Sequence, residues 1–96
     1  MNKIIYLIST HINIFELFTE VYIFGSIVKN SEFPNDIDLL LVYEEYTKEI
    51  ENEKNIIDEF LATLFKLEID ITLLSEKELM QTNFLEKISF NYQKLK

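Results

Sequence analysis

Asp36 and Asp38 sit one residue apart, directly ahead of the apolar run Leu39-Leu40-Leu41-Val42-Tyr43, and Asp70 alternates with apolar residues within Leu67 to Leu74. On an extended chain residues i and i+2 share a face, so the first two carboxylates point the same way. Carboxylates held that close oppose each other's ionisation unless a cation lies between them. An all-oxygen donor set suits Mg2+, which takes one or two carboxylates and leaves room for substrate phosphates. Asp70 can share that metal or accept a proton from an attacking hydroxyl. Upstream, the run Val21-Tyr22-Ile23-Phe24 ends on Gly25-Ser26, and Gly25 is the only glycine of the chain. Glycine permits close backbone approach to a ligand, and amides that open a short helix after it are a natural seat for phosphate oxygens. The Ser26 hydroxyl adds a further hydrogen bond. These parts make a two-metal phosphoryl or nucleotidyl transfer site, one ion on the nucleophile and the other on a triphosphate.

The elements that must hold these residues follow from hydrophobic periodicity. Ile4, Leu7, Ile8, Ile12, Phe15 and Phe18 place an amphipathic helix over residues 3–18. Val21 to Phe24 reads as a short strand, and Ser26 to Asn30 as one or two helical turns that Asn30 can end in a left-handed conformation. Beyond its two aspartates, the segment Asp36 to Tyr43 is apolar on both faces, the pattern of a strand inside a sheet. Residues 47–66 carry a helical stripe through Ile50, Ile56, Ile57, Phe60, Leu61, Leu64 and Phe65, with Thr47 as N-cap and Glu49 and Glu51 favourably placed on the dipole. In Leu67 to Leu74 the residues Leu67, Ile69, Ile71 and Leu73 face one way and Glu68, Asp70 and Thr72 the other. Ser75-Glu76-Lys77-Glu78 is a capping box that opens a last helical region reaching toward Leu95. The expected fold is α/β (α+β): a three-stranded mixed sheet with helices packed mainly on one face.

Ninety-six residues, 48% hydrophobic and 27% charged, fit one compact domain spanning 1–96 rather than a disordered chain. The absence of cysteine excludes disulfides and thiolate metal sites. Seventeen acidic against nine basic residues give a net charge of −8, which repels nucleic acid over most of the surface and argues against direct nucleic-acid reading. A small triphosphate remains compatible, because a bound divalent cation inverts the local field. The N-terminal stretch Met1 to Ile8 is too short and too polar in its continuation for a signal peptide or a membrane span, so a cytoplasmic location without membrane attachment is expected.

Phe24-Gly25-Ser26, nine intervening residues, Asp36-Ile37-Asp38 on an apolar strand and Asp70 on the next resemble the polymerase-beta-type nucleotidyltransferase superfamily, and the length resembles its minimal nucleotidyltransferase branch. The likeness covers about residues 10 to 75. It implies that Gly25 and Ser26 hold the triphosphate, that Asp36 and Asp38 bind metal, and that Asp70 completes the site and helps activate the acceptor. It further implies two Mg2+ ions, ATP as substrate and AMP transfer to a hydroxyl. A small helical HEPN-type protein is the implied partner, in a homo- or hetero-oligomer. In such pairs the transferase acts as antitoxin by adenylylating a tyrosine of the HEPN toxin. Where many members carry an Arg-Ala-Arg-Gly-like turn, this chain has Ile27-Val28-Lys29-Asn30; Lys29 keeps one positive charge for nucleotide binding and Ile27 removes the other. The helical domain that larger relatives use for base and acceptor recognition is not expected here. Two rival readings stand beside this one: a non-catalytic module that neutralises or scaffolds a helical partner, and a small-molecule nucleotidyltransferase whose acceptor pocket forms between subunits.

The remaining polar residues have plainer readings. Glu68 shares the polar face with Asp70 and reads as a solvated strand residue. His11 reads as exposed, and Glu44, Glu45, Glu49, Glu51 and Glu53 as a solvated acidic run. Phe84, Phe90 and Tyr92 form the candidate contact surface, because so small a domain has difficulty burying every ring.

Overall fold

A computed structural model describes residues 2–28 and 34–96. In chain order it contains α1 (Lys3–Thr10), a 3-10 turn (Ile12–Phe15), β1 (Glu20–Phe24), β2 (Asp36–Tyr43), α2 (Lys48–Phe65), β3 (Glu68–Ser75), α3 (Glu76–Thr82), α4 (Phe84–Lys87) and β4 (Tyr92–Lys94). The strands form one mixed sheet in the order β3-β2-β1-β4. β2 runs parallel to β3, whereas β1 is antiparallel to both β2 and β4. The α2 crossover supplies the long connection that a parallel pair requires.

The alternation of side chains splits the interior into two layers. Ile37, Leu39 and Leu41 of β2 join Val21, Ile23 and Ile69 against Ile5, Ile8, Phe15, Ile50, Ile57 and Leu61 from the helices. On the opposite face Tyr22, Leu40 and Val42 pack under Leu74, Leu79, Phe84, Leu85 and Tyr92. This second layer reaches Phe24, the neighbour of Asp38 across the antiparallel ladder, where Phe84 of α4 packs on it. The aspartates lie on the same face beside it.

Several boundaries follow local chemistry. Thr47 accepts the Ile50 N–H at 3.2 Å and caps α2. Ser75 and Glu78 close a reciprocal capping box, each bond 3.0 Å long. Among the described residues the sheet has four strands, not three, and the helical region after Ser75 stops well short of Leu95. Asn83 takes a left-handed conformation (φ 52°) and ends α3, and Ser89 and Phe90 (φ 57° and 56°) reverse the chain into β4. Helical periodicity does not reveal such a reversal, since neither Ser nor Phe is a usual residue for positive φ. The N-terminal helix likewise breaks at His11, continuing as the 3-10 turn rather than to Phe18. The His11 Nδ1 lies 2.8 Å from the Leu7 carbonyl oxygen and its ring stacks obliquely on Phe60, so this histidine is half-buried rather than exposed. Of the aromatic trio, Phe84 and Tyr92 turn inward, edge-on to Phe24 and Tyr22, and Phe90 stays 64% exposed.

Candidate functional site

Register fixes the acidic cluster. In the parallel ladder Asp38 lies opposite Asp70 and Asp36 opposite Glu68; in the antiparallel ladder Asp38 lies opposite Phe24. The three aspartates each bring a carboxylate oxygen within 4.8 Å of the others. Glu68 is exposed and outside that group, in keeping with a solvated strand position. Asp36 and Asp38 are half-buried and Asp70 is exposed, so the cluster opens to solvent on one side.

Asp38 retains its proton above the usual carboxylate range, first because burial disfavours its charged form and then because Asp36 and Asp70 repel it. That repulsion is what a divalent cation relieves. The donor set contains only oxygens, as Mg2+ prefers, and the geometry therefore fits such an ion held by Asp36, Asp38 and Asp70.

Gly25 has φ +86°, in the region that L side chains avoid. A Cβ there would collide with the Asp38 carboxylate, lying only 3.2 Å from its Cγ. The glycine therefore brings the backbone against the acidic cluster itself. Ser26 is exposed, and the described part of the following segment is a turn closed by the Val28 N–H donating to the Gly25 carbonyl at 3.1 Å. The rest of the one or two helical turns expected over Ser26 to Asn30 falls on Lys29 and Asn30, which lie outside the described residues. Ile27 is 2% exposed and belongs to the core, so its side chain has no access to a ligand.

Beside Gly25 opens a cavity of about 300 Å3, lined by Phe24, Gly25, Lys87, Ile88, Ser89 and Asn91. Sequence reading missed the last four, because only the reversal at Ser89 and Phe90 carries them to the Gly25 turn. Another cavity, about 380 Å3, lies between the 3-10 turn and α2 and includes none of the aspartates. Among the described residues, no helix is long and apolar enough to cross a membrane.

A mixed sheet that gathers carboxylates from two parallel strands beside a glycine turn defines a nucleotidyltransferase type of fold. Residues 2–93 match the family model described as "Polymerase beta, Nucleotidyltransferase", and the chain belongs to that family. No curated protein matches it. Among solved structures it is similar to a toxin-antitoxin MntA-HpeT carrying a double aspartate-to-glutamate mutation, with TM-score 0.62 and 15% identity over 98% of this chain and 73% of that one. A toxin-antitoxin with AMP-PNP gives TM-score 0.59 and 18% identity over 100% of this chain and 73% of that one. A tri-AMPylated Shewanella oneidensis HEPN toxin in complex with its MNT antitoxin gives 0.56 and 16% over 96% and 71%. At such identities the likeness establishes the shared fold.

Proposed function

We propose that this chain is a Mg2+-dependent nucleotidyltransferase that moves AMP from ATP to a hydroxyl, a tyrosine of a HEPN-type partner, and thereby acts as its antitoxin. The observation that carries the reading is the convergence of Asp36, Asp38 and Asp70 beside Gly25 in a polymerase-beta-type domain. Its structural neighbours include an AMPylated HEPN toxin with its antitoxin and a complex with AMP-PNP, which supports both the nucleotide and the partner.

In this reading Gly25 and Ser26 seat the triphosphate, and Lys29 supplies positive charge to it. Asp36, Asp38 and Asp70 would hold two Mg2+ ions, which would polarise the phosphates and acidify the acceptor hydroxyl. Asp70, the most open of the three, takes the proton from that hydroxyl. The acceptor oxygen bonds to the α-phosphorus, the bond from that phosphorus to the bridging oxygen breaks, and pyrophosphate leaves with the electron pair.

The test incubates the chain with its cognate HEPN protein, Mg2+ and ATP labelled at the α-phosphate. Label is expected on a partner tyrosine, falling at least about a hundredfold in Asp36→Ala plus Asp38→Ala, as the loss of a principal electrostatic stabiliser implies. Label transfer that survives the double substitution overturns the site. Partner neutralisation without label transfer, unchanged in the double variant, favours the non-catalytic module.

A further inference from the structure

We propose that the cavity beside Gly25 is the second half of a polyphosphate site, in which the Lys87 ammonium neutralises the phosphate chain of a nucleoside triphosphate. The inference rests on the nucleotide reading above and names a cation for it. The chain has no arginine, and its net charge is −8. Three carboxylates crowd the sheet end that a triphosphate must approach. In the turn after Ser26, Ile27 is turned into the core and contributes no charge. Beyond Mg2+ and Lys29, polyphosphate binding against that field gains from a further positive charge elsewhere in the fold.

Lys87 meets the requirement by position. It is the last residue of α4 and shares the cavity of about 300 Å3 with Gly25. Among the described residues it makes no ion pair, whereas Lys94 is engaged with Glu20 at 3.2 Å and Lys96 donates to the Phe15 carbonyl at 3.0 Å. The Ser89 hydroxyl and the Asn91 amide, on the same wall, also make no side-chain hydrogen bond among the described residues, which leaves both open to phosphate or ribose oxygens. The backbone that presents them is held firmly. Ser89 N–H donates to Glu86 at 2.8 Å, Phe90 N–H to Leu85 at 3.0 Å and Asn91 N–H to Ile88 at 3.1 Å. Two successive left-handed residues, Ser89 and Phe90, create this wall. Backbone strain of that kind concentrates where a ligand is met.

The test is calorimetry on the full chain, with its cognate HEPN partner present and absent, using Mg-ATP, inorganic tripolyphosphate and adenosine as probes. Lys87→Ala is expected to weaken both phosphate probes about tenfold or more, the scale of a lost charge-assisted hydrogen bond, and to leave adenosine unchanged. Lys87→Arg is expected to restore most of the binding. Lys87 is exposed, so thermal unfolding of all variants is expected to match the parent. If Lys87→Ala binds Mg-ATP within twofold of the parent, this proposal falls and the acidic site stands. An equal loss for adenosine overturns the phosphate role. A parent chain that binds neither phosphate probe, even with its partner, overturns both this inference and the nucleotide reading.

Discussion

The Asp38 carboxylate is half-buried, faces Asp70 across the parallel ladder and lies against the glycine turn. Its pairing with Asp36 was legible in sequence from spacing alone; its burial and its contact with Gly25 were not, since both depend on the partner strands. The raised pKa has a definite consequence for stability. The folded chain keeps the Asp38 proton to higher pH than the unfolded chain does, so within that interval the native state binds more protons. Stability from this group is complete below the ordinary carboxylate range and is lost as pH rises through the folded value. Asp38→Asn in EDTA is therefore expected to melt above the parent at neutral pH, with the gap closing as pH falls toward 4. The gap is a few degrees at most, because solvent screens a half-buried group. Added Mg2+ is expected to raise the melting temperature of the parent and not that of the variant. Scanning calorimetry across pH checks both statements.

At the scale of elements, the helix starts were the most legible features. Thr47 and the box Ser75-Glu78 announce themselves by residue type, and the structure places both as caps. Helix ends were less so, because this chain uses its one glycine at the site and ends α2 on Lys66 in the left-handed region, φ 55°. A non-glycine residue there costs about 1 kcal/mol. Lys66→Gly removes that strain at an exposed position and is expected to stabilise the chain by about 0.5–1 kcal/mol, read as a higher urea midpoint with an unchanged slope. The alternation in β3 predicted which side chains share a face. Alternation alone left Asp70 and Glu68 on one face; the family resemblance singled out Asp70, and the register that sets it opposite Asp38 follows from the α2 crossover and packing.

In the whole molecule, one face of the sheet is covered by α1, the 3-10 turn and α2, and the other in part by α3 and by α4, which reaches Phe24 and the Gly25 cavity beside the aspartates. β4 completes the arrangement by pairing with β1, and the strand and the residues after it are tied down by Tyr92 against Tyr22 at 5.2 Å and by Leu95 N–H donating to Val21 at 2.8 Å. Deleting residues 91–96 is expected to expose the β1 edge, to cost about 2–4 kcal/mol from the lost burial of Tyr92 and Leu95, and to promote self-association visible in size-exclusion chromatography. By itself the sequence determined the face on which each strand residue lies, the helix starts, and the residue types able to hold a metal beside a glycine turn. These are consequences of local periodicity and local hydrogen bonding. Tertiary structure decided the fourth strand, the closure of Asp70 onto Asp38, and the arrival of Lys87 at the Gly25 cavity. Each of these depends on contacts between segments far apart in the chain, and on a reversal at Ser89 and Phe90 that neither side chain would lead one to expect.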